Sequence, residues 1–296
     1  MALSPNNNKD RVVLGMVTAM GAFLMFTVMN MFAKLLSDEH SVIEIAFYRN
    51  LIASLVFLTA AFVFGRREIL VLRSRPALVG VRAVFGTISL VVTFTAYSMM
   101  PMADTTALLF TASLFIPVLG VIFLKESVGP FRWFAVAMGF VGVIVMAHPS
   151  GEMRTLGILV ALSAALIHAT IQIMSRYLTR YESPESISFY FFLIGTFLTA
   201  LPMPFIATTP TTAEIPLFIG IGLSGAAAQW LLTVAYRNAR AAVVTVFNYS
   251  SIVWATLFGW MIWSDWPLPT VIVGASIVIA SNLLMIWRES RLKKTT

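Results

Sequence analysis

The sequence predicts an all-α integral membrane protein in which ten transmembrane helices form two inverted five-helix repeats, and composition is the first reason. Of 296 residues, 59% are hydrophobic and 11% are charged, and the mean hydropathy is +0.88. Soluble domains contain about 45–50% apolar and about 25% charged residues, so this chain has too little polar surface to face water on all sides. Soluble enzymes, nucleic-acid-binding modules and disordered tails are therefore excluded. The chain has no cysteine, which excludes disulfides and thiolate metal sites.

The spacing of apolar stretches is the second reason, because each approaches the roughly 20 residues that a membrane-crossing helix needs. The predicted spans are 12–34, 42–64, 77–98, 103–124, 130–147, 156–177, 186–206, 215–236, 241–263 and 269–287. Charged residues, prolines and glycines separate them, as at Arg66-Arg67 and Pro101. Every gap is short, so we expect no soluble domain. The first span exceeds the about 7–15 apolar residues of a signal peptide, and we expect it to be retained.

An internal repeat is the third reason. A shift of 142 residues, which becomes 139 near the end of each half, pairs Leu36 with Leu178, Ser41 with Ser183, Tyr48 with Tyr190, and Glu126 with Asp265. The two repeats occupy residues 12–147 and 156–288 and hold five spans each. Because five is odd, the second repeat must enter the membrane upside down relative to the first. Inverted repeats are typical of secondary transporters, which bind substrate near the membrane midplane.

The distribution of positive charge predicts that both termini lie in the cytoplasm. With the N-terminus placed there, the cytoplasmic side receives all of the 20 Lys and Arg residues except Lys34, Arg49 and Arg154. An excess of Lys and Arg on the cytoplasmic side is the usual rule for membrane proteins. The Lys and Arg residues behind the net charge of +7 therefore mark the cytoplasmic face of the membrane rather than a nucleic-acid site. We expect a multi-pass protein of the cytoplasmic (inner) membrane.

Several motifs resemble those of a known family. The second span opens with Phe47-Tyr48-Arg49-Asn50, and the fourth contains Pro117 and closes with Leu124-Lys125-Glu126. A third motif, which begins with Met100-Pro101-Met102-Ala103-Asp104, is similar to the signature of one branch of that family. These features resemble the EamA type of the drug/metabolite transporter superfamily, in a branch with bacterial riboflavin importers and S-adenosylmethionine carriers. The resemblance implies a central cavity that opens to alternate sides. Thr256 and Asp265 depart from the first repeat's Pro117 and Glu126, so equal roles for the two halves are not expected.

Polar and aromatic residues deep in the spans are the candidate substrate-binding residues, because an intramembrane polar group should face a cavity or a partner. The candidates are Phe26, Asn30, His168, Gln172, Gln229, Trp230, Asn248, Tyr249 and Trp254. Aromatic faces stack on flat ligands, and amides bond to ring edges. The alternative interpretation is helix–helix packing, in which the amides bridge neighbouring helices.

Charged residues inside the spans are few. We expect Glu44 and Arg49 to form a gate or a structural contact, although a desolvated Arg also binds anions. Arg82 is expected to reach the lipid headgroups. No acidic residue falls at a span midpoint, which disfavours carboxylate-based proton coupling and favours a facilitated or exchange mechanism.

The best-supported function is uptake of riboflavin or a similar heteroaromatic compound by alternating access. An amino-acid or S-adenosylmethionine carrier or exporter is the main alternative, and a membrane enzyme or scaffold subunit is the alternative outside transport. The three histidines lack metal-ligand spacing, so we expect no metal, no cofactor and no catalytic residue. The expected partners are a small-molecule substrate and the lipid bilayer, without nucleic acid, for a monomer or homodimer.

Overall fold

The structure is a computed structural model that describes residues 5–124, 129–147, 152–239 and 241–292, and these residues form α-helices joined by short connections without a β-strand. The helices are α1 (Pro5–Leu36), α2 (Val42–Val63), α3 (Pro76–Met99), α4 (Met102–Leu109), α5 (Ala112–Leu124), α6 (Pro130–Met146), α7 (Glu152–Leu178), α8 (Pro184–Ala200), α9 (Met203–Ile206), α10 (Ile215–Asn238), α11 (Ala241–Asn248), α12 (Ser250–Trp263) and α13 (Pro269–Leu292). A 3₁₀ turn, Arg67–Leu70, follows α2. The all-α prediction is confirmed.

Every predicted span overlaps a helix or a pair of consecutive helices. Eight helical stretches in the described part of the chain are long and apolar enough to cross a membrane, and Trp133–Met146 is a shorter apolar helix. The predicted span 186–206 differs, because α8 ends at Ala200 and only the single turn of α9 follows. Pro202 and Pro204 explain this end, since proline lacks the N–H that a continuing helix would use.

Two helices begin in the same way at positions that the repeat relates. The Ser41 hydroxyl accepts a hydrogen bond from the Glu44 N–H at the start of α2, at 3.2 Å. The Ser183 hydroxyl accepts one from the Ser186 N–H at the start of α8, at 3.0 Å. Serine at this position satisfies a backbone donor that the first helical turn leaves free. The 142-residue shift therefore relates local structure as well as sequence.

The chain divides into two compact units, and each combines helices of both repeats. Unit 1 comprises the described residues of 1–94 and 177–254, and unit 2 comprises those of 95–176 and 255–296. In unit 1, α1 packs along α10, and α2 packs against both α8 and α10. The buried core of this unit includes Phe57 and Phe192, whose ring centroids lie 5.3 Å apart.

Unit 2 is organised around the packing of α6 on α13, the fifth helices of the two repeats. The Ser281 hydroxyl donates to the Ala135 carbonyl, and Gly142 lies against Gly274 so closely that a Cβ on Gly142 would stand 2.7 Å from the Gly274 carbonyl oxygen. The 139-residue shift places Ala135 on Gly274 and Gly142 on Ser281. The two contacts are therefore equivalent, and each unit contains a symmetric pairing of corresponding helices.

Candidate functional site

Two predicted spans are broken near their middle, which the sequence analysis did not anticipate. The fourth span consists of α4 and α5, separated at Phe110 and Thr111, and the ninth consists of α11 and α12, separated at Tyr249. The 139-residue shift places Phe110 on Tyr249 and Thr111 on Ser250, so the breaks are equivalent. Interrupted helices in corresponding positions of two repeats are the feature with which transporters expose backbone groups to substrate.

The same hydrogen bond accompanies both breaks. The Thr111 hydroxyl donates to the Leu108 carbonyl at 2.7 Å, and the Ser250 hydroxyl donates to the Phe247 carbonyl at 2.7 Å. Bonds from a Ser or Thr hydroxyl to the preceding turn destabilise and bend helices. Pro117 is not the shared cause, because Thr256 occupies its position in the second repeat. The sequence feature that the two breaks share is this pair of hydroxyl residues at equivalent positions.

Two candidate residues of unit 1 lie at the break in the ninth span. Asn248 is the last residue of α11 and Tyr249 is the break residue, and both are half-buried. Phe247, just before them, packs against the same buried apolar cluster as Phe26 of α1. That cluster contains Phe23, whose ring centroid lies 6.4 Å from that of Phe26. The structure therefore brings the aromatic face of α1 to the break in the ninth span.

Two further candidates of unit 1 carry buried polar atoms that form no hydrogen bond with the described residues. They are Asn30, through Oδ1, and Trp254, through Nε1. A buried polar atom left without a partner costs about 1–3 kcal/mol. Gln229 is half-buried on α10, whereas Trp230 is 53% exposed.

The remaining candidates, His168 and Gln172, belong to unit 2. They lie one helical turn apart on α7, and both are exposed. The neighbouring face of α7 is buried, because Ala165 and Ala169 pack in a cluster with Phe115. The predicted polar stripe therefore exists on α7, in a different compact unit from the other candidates.

Arg49 is enclosed by aromatic rings. Its side chain is 1% exposed, its Nη1 donates to Asn50 Oδ1 at 2.8 Å, and its guanidinium carbon lies 4.7 Å from the Phe192 ring centroid and 5.2 Å from that of Phe191. Arg82 lies over the same Phe191 ring at 5.2 Å instead of extending to the headgroups as expected. Aromatic faces attract cations, which accounts for both positions.

Glu44 has different partners from Arg49. It is fully buried in the first turn of α2, where its Oε2 lies 3.3 Å from His40 Nδ1 and accepts a hydrogen bond from the Thr208 hydroxyl at 3.2 Å. The two residues that the sequence analysis grouped as a gate or structural contact therefore occupy separate environments within unit 1.

Two buried amides were not among the predicted site residues. Asn50 is fully buried beside Arg49. Asn282 of α13 is 2% exposed, and neither polar atom of its amide forms a hydrogen bond with the described residues. The sequence signal that could have identified Asn282 is that it is an isolated amide within an otherwise apolar helix. No group of three or more His, Cys, Asp or Glu side chains within the described ranges is arranged to hold a metal ion.

Comparison with known proteins agrees with this architecture. The model of the EamA-like transporter family matches residues 13–147 and 155–287, one match for each repeat. A riboflavin transporter of Brucella anthropi is 29% identical over 287 residues, which cover 95% of this chain and 100% of that protein. An S-adenosylmethionine uptake transporter of Rickettsia bellii is 27% identical over 262 residues, or 88% of each chain. One crystal structure superimposes with a TM-score of 0.65 at 16% identity, covering 96% of this chain and 99% of the other.

The chain belongs to the EamA-like transporter family. It is a multi-pass transporter of the bacterial inner membrane, which confirms the predicted family and location.

Proposed function

We propose that the protein carries riboflavin or a similar heteroaromatic metabolite into the cell by alternating access. One observation carries the mechanism: equivalent helices of the two repeats are broken at equivalent positions, at Phe110–Thr111 and at Tyr249. At both breaks the backbone tightens into i→i+3 hydrogen bonds, from the Thr111 N–H to the Leu108 carbonyl at 3.0 Å and from the Tyr249 N–H to the Val246 carbonyl at 3.2 Å. A tightened turn within a long helix often marks a functional hinge, and corresponding hinges in two inverted repeats suit alternating access, whereas a passive scaffold does not need them.

The proposed topology has ten membrane-crossing helices and two cytoplasmic termini. The crossing elements are α1, α2, α3, α4–α5, α6, α7, α8, α10, α11–α12 and α13. The first linker (residues 64–75) contains Arg66, Arg67, Arg73 and Arg75 and is assigned to the cytoplasm. The second linker (residues 201–214) has neither Lys nor Arg and is assigned to the opposite face.

Single cysteines test this topology cleanly, because the natural sequence has none. Val71→Cys labels the first linker and Thr209→Cys the second, and both side chains are exposed. In intact cells, a membrane-impermeant maleimide should modify Cys at position 209 and spare Cys at position 71 until the cells are opened. The reverse pattern would invert the proposed orientation.

The substrate assignment rests on the chemistry of the break in unit 1. Tyr249 and Trp254 supply aromatic rings, and Asn248 supplies an amide. Asn30 supplies a buried side-chain oxygen that forms no hydrogen bond within the described part of the chain. Aromatic rings with a few placed polar groups suit a flat molecule with hydrogen-bonding edges. The names of relatives support riboflavin first and S-adenosylmethionine second.

Uptake into proteoliposomes tests this assignment. Purified protein is reconstituted, and labelled riboflavin, S-adenosylmethionine and an amino-acid mixture are supplied separately. The proposal expects saturable riboflavin flux that empty liposomes lack. Saturable flux of another compound alone would replace the substrate, and flux only out of loaded vesicles would reverse the direction. Folded protein that moves none of them would favour the non-transport alternatives, an enzyme or a scaffold subunit.

A further inference from the structure

The first linker is fastened to α8 by hydrogen bonds from side chains to its backbone. The Tyr190 hydroxyl donates to the Leu70 carbonyl at 3.0 Å, and the Ser186 hydroxyl donates to the Glu68 carbonyl at 3.1 Å. Ile69, between these two carbonyls, is buried in the core of unit 1. The linker therefore has a fixed position on unit 1, although it lies outside the membrane-crossing helices.

Glu182 holds the last part of this linker. The Arg73 N–H donates to its Oε2 at 2.7 Å, and the N–H groups of Ser74 and Arg75 donate to its Oε1 at 2.7 and 2.8 Å. Burial alone would raise the pKa of Glu182, but these three hydrogen bonds and the charge of Arg73 outweigh it and lower the pKa below the usual glutamate value. A charged Glu182 therefore anchors the backbone of both arginines at neutral pH.

Three exposed arginines converge around this anchor. Arg73 and Arg75 are held by it through their backbone, and Arg180 lies two residues before Glu182 in the turn between α7 and α8. The guanidinium carbon of Arg75 lies 5.3 Å from the ring centroid of Tyr181, the residue next to Arg180. We call Arg73, Arg75 and Arg180 the arginine cluster.

The acidic residues of this region have other partners. Glu182 is occupied by backbone N–H groups, Glu185 is buried and pairs with Arg237, and Glu68 lies 3.5 Å from Arg66. No residue of the arginine cluster forms an ion pair with a side chain in the described part of the chain. The cluster therefore presents a positively charged surface with an unused capacity to bind an anion.

Exposed apolar and aromatic side chains border the arginine cluster. Val71 is 51% exposed two residues before Arg73, and the rings of the exposed Tyr177 and Tyr181 lie 5.3 Å apart. Because the linker joins two membrane-crossing helices, these side chains lie near the lipid headgroups, where tyrosine is enriched. A soluble phosphate ion would cover the arginines and leave the apolar side chains in water. A phospholipid covers both.

We propose that the arginine cluster binds the phosphate group of an anionic phospholipid, with Val71 and Tyr181 against the adjoining part of the lipid. Arginine suits this ligand because its planar fork donates two parallel hydrogen bonds to phosphate oxygens. Glu182 is a positioning residue: it does not touch the lipid, and it sets the places of Arg73 and Arg75. The site lies on the side assigned above to the cytoplasm, and its preference for lipid does not depend on transport.

Native mass spectrometry of the full chain in detergent measures this binding without any transport step. Phosphatidylglycerol and phosphatidylcholine are titrated separately, and wild type should bind the anionic lipid more tightly. Arg73→Gln and Arg75→Gln should each weaken phosphatidylglycerol binding by about fivefold, the usual contribution of one arginine near an anionic membrane surface. Lys34→Gln, which removes a positive charge from the last turn of α1, should leave the affinity unchanged.

Glu182→Gln separates a built site from a general attraction between opposite charges. The variant removes a negative charge, so general attraction alone would strengthen phosphatidylglycerol binding. We expect a loss of affinity instead, because the two arginines lose their anchor. A gain of affinity in Glu182→Gln, equal affinities of wild type for the two lipids, or wild-type affinity in either arginine variant would overturn the proposal. Displacement of the lipid by an excess of inorganic phosphate would also overturn it, since the site would then belong to a soluble anion.

Discussion

The hydroxyl oxygens of Ser54 and Thr196 lie 3.4 Å apart, and the 142-residue shift that relates the repeats places one residue on the other. Two equivalent residues touch only where the pseudo-twofold axis of the repeat passes between them. The contact therefore locates that axis within unit 1, at the crossing of α2 and α8. The same symmetry relates the serine caps of α2 and α8, which start the two crossing helices in the same way.

Close packing at this crossing requires a glycine. A Cβ on Gly195 would lie 2.6 Å from Asn50 Nδ2 and 3.0 Å from the Thr87 hydroxyl. Overpacking of this kind costs about 1–3 kcal/mol, so Gly195→Ala should lower the unfolding temperature in detergent. Gly80→Ala is the matched control on α3, because nothing lies within 4 Å of its added methyl. Equal unfolding temperatures for the two variants would contradict this description of the crossing.

The planar guanidinium of Arg49 is the second target. A lysine at this position keeps the charge but cannot stack on Phe191 and Phe192 while it donates to Asn50. Arg49→Lys should destabilise the protein by about 1–3 kcal/mol, measured as a shift of the thermal or denaturant midpoint. Arg67→Lys, at an exposed position, should have no comparable effect. If Arg49→Lys unfolds at the wild-type midpoint, stacking of the guanidinium on the two rings does not contribute to stability.

The carboxylate of Glu182 should stabilise the protein in a defined pH range. Because its pKa is lowered in the folded state, its contribution is present above the usual glutamate pKa and is lost as the pH falls through the lowered value. Glu182→Gln should therefore cost about 1 kcal/mol at neutral pH, and the difference from wild type should shrink below about pH 4. Unfolding midpoints from neutral to acidic pH measure this. Glu68→Gln, on an exposed glutamate, serves as the control.

The hydroxyl at each helix break should matter for transport. Ser250→Ala removes the bond to the Phe247 carbonyl and should reduce the initial rate of uptake severalfold, because the break loses its defined geometry. Ser276→Ala removes a bond of the same kind, at 2.7 Å to Ile272, from the continuous helix α13. Uptake by Ser276→Ala should match wild type. Equal rates for both variants would indicate that the break does not take part in transport.

The helices were predictable because long apolar stretches and cap residues such as Ser41 and Ser183 act locally. The helix breaks were harder, because one hydroxyl in an apolar span usually bonds to its own helix without consequence. Arg82 was misplaced because the ring of Phe191 comes from a helix distant in the sequence. Contacts of this kind depend on which helices share a unit, and the linear order of the repeats does not reveal that.

Uptake of labelled riboflavin into proteoliposomes tests the central claim most directly, with wild type compared with Tyr249→Ala at the break in unit 1. Phe205→Ala is the control, because its ring is almost fully exposed in α9. The account predicts saturable uptake by wild type and Phe205→Ala, and loss of most of that uptake in folded Tyr249→Ala. Wild-type uptake by Tyr249→Ala would contradict the proposed site, and folded wild type that carries none of the tested metabolites would contradict the transport assignment itself.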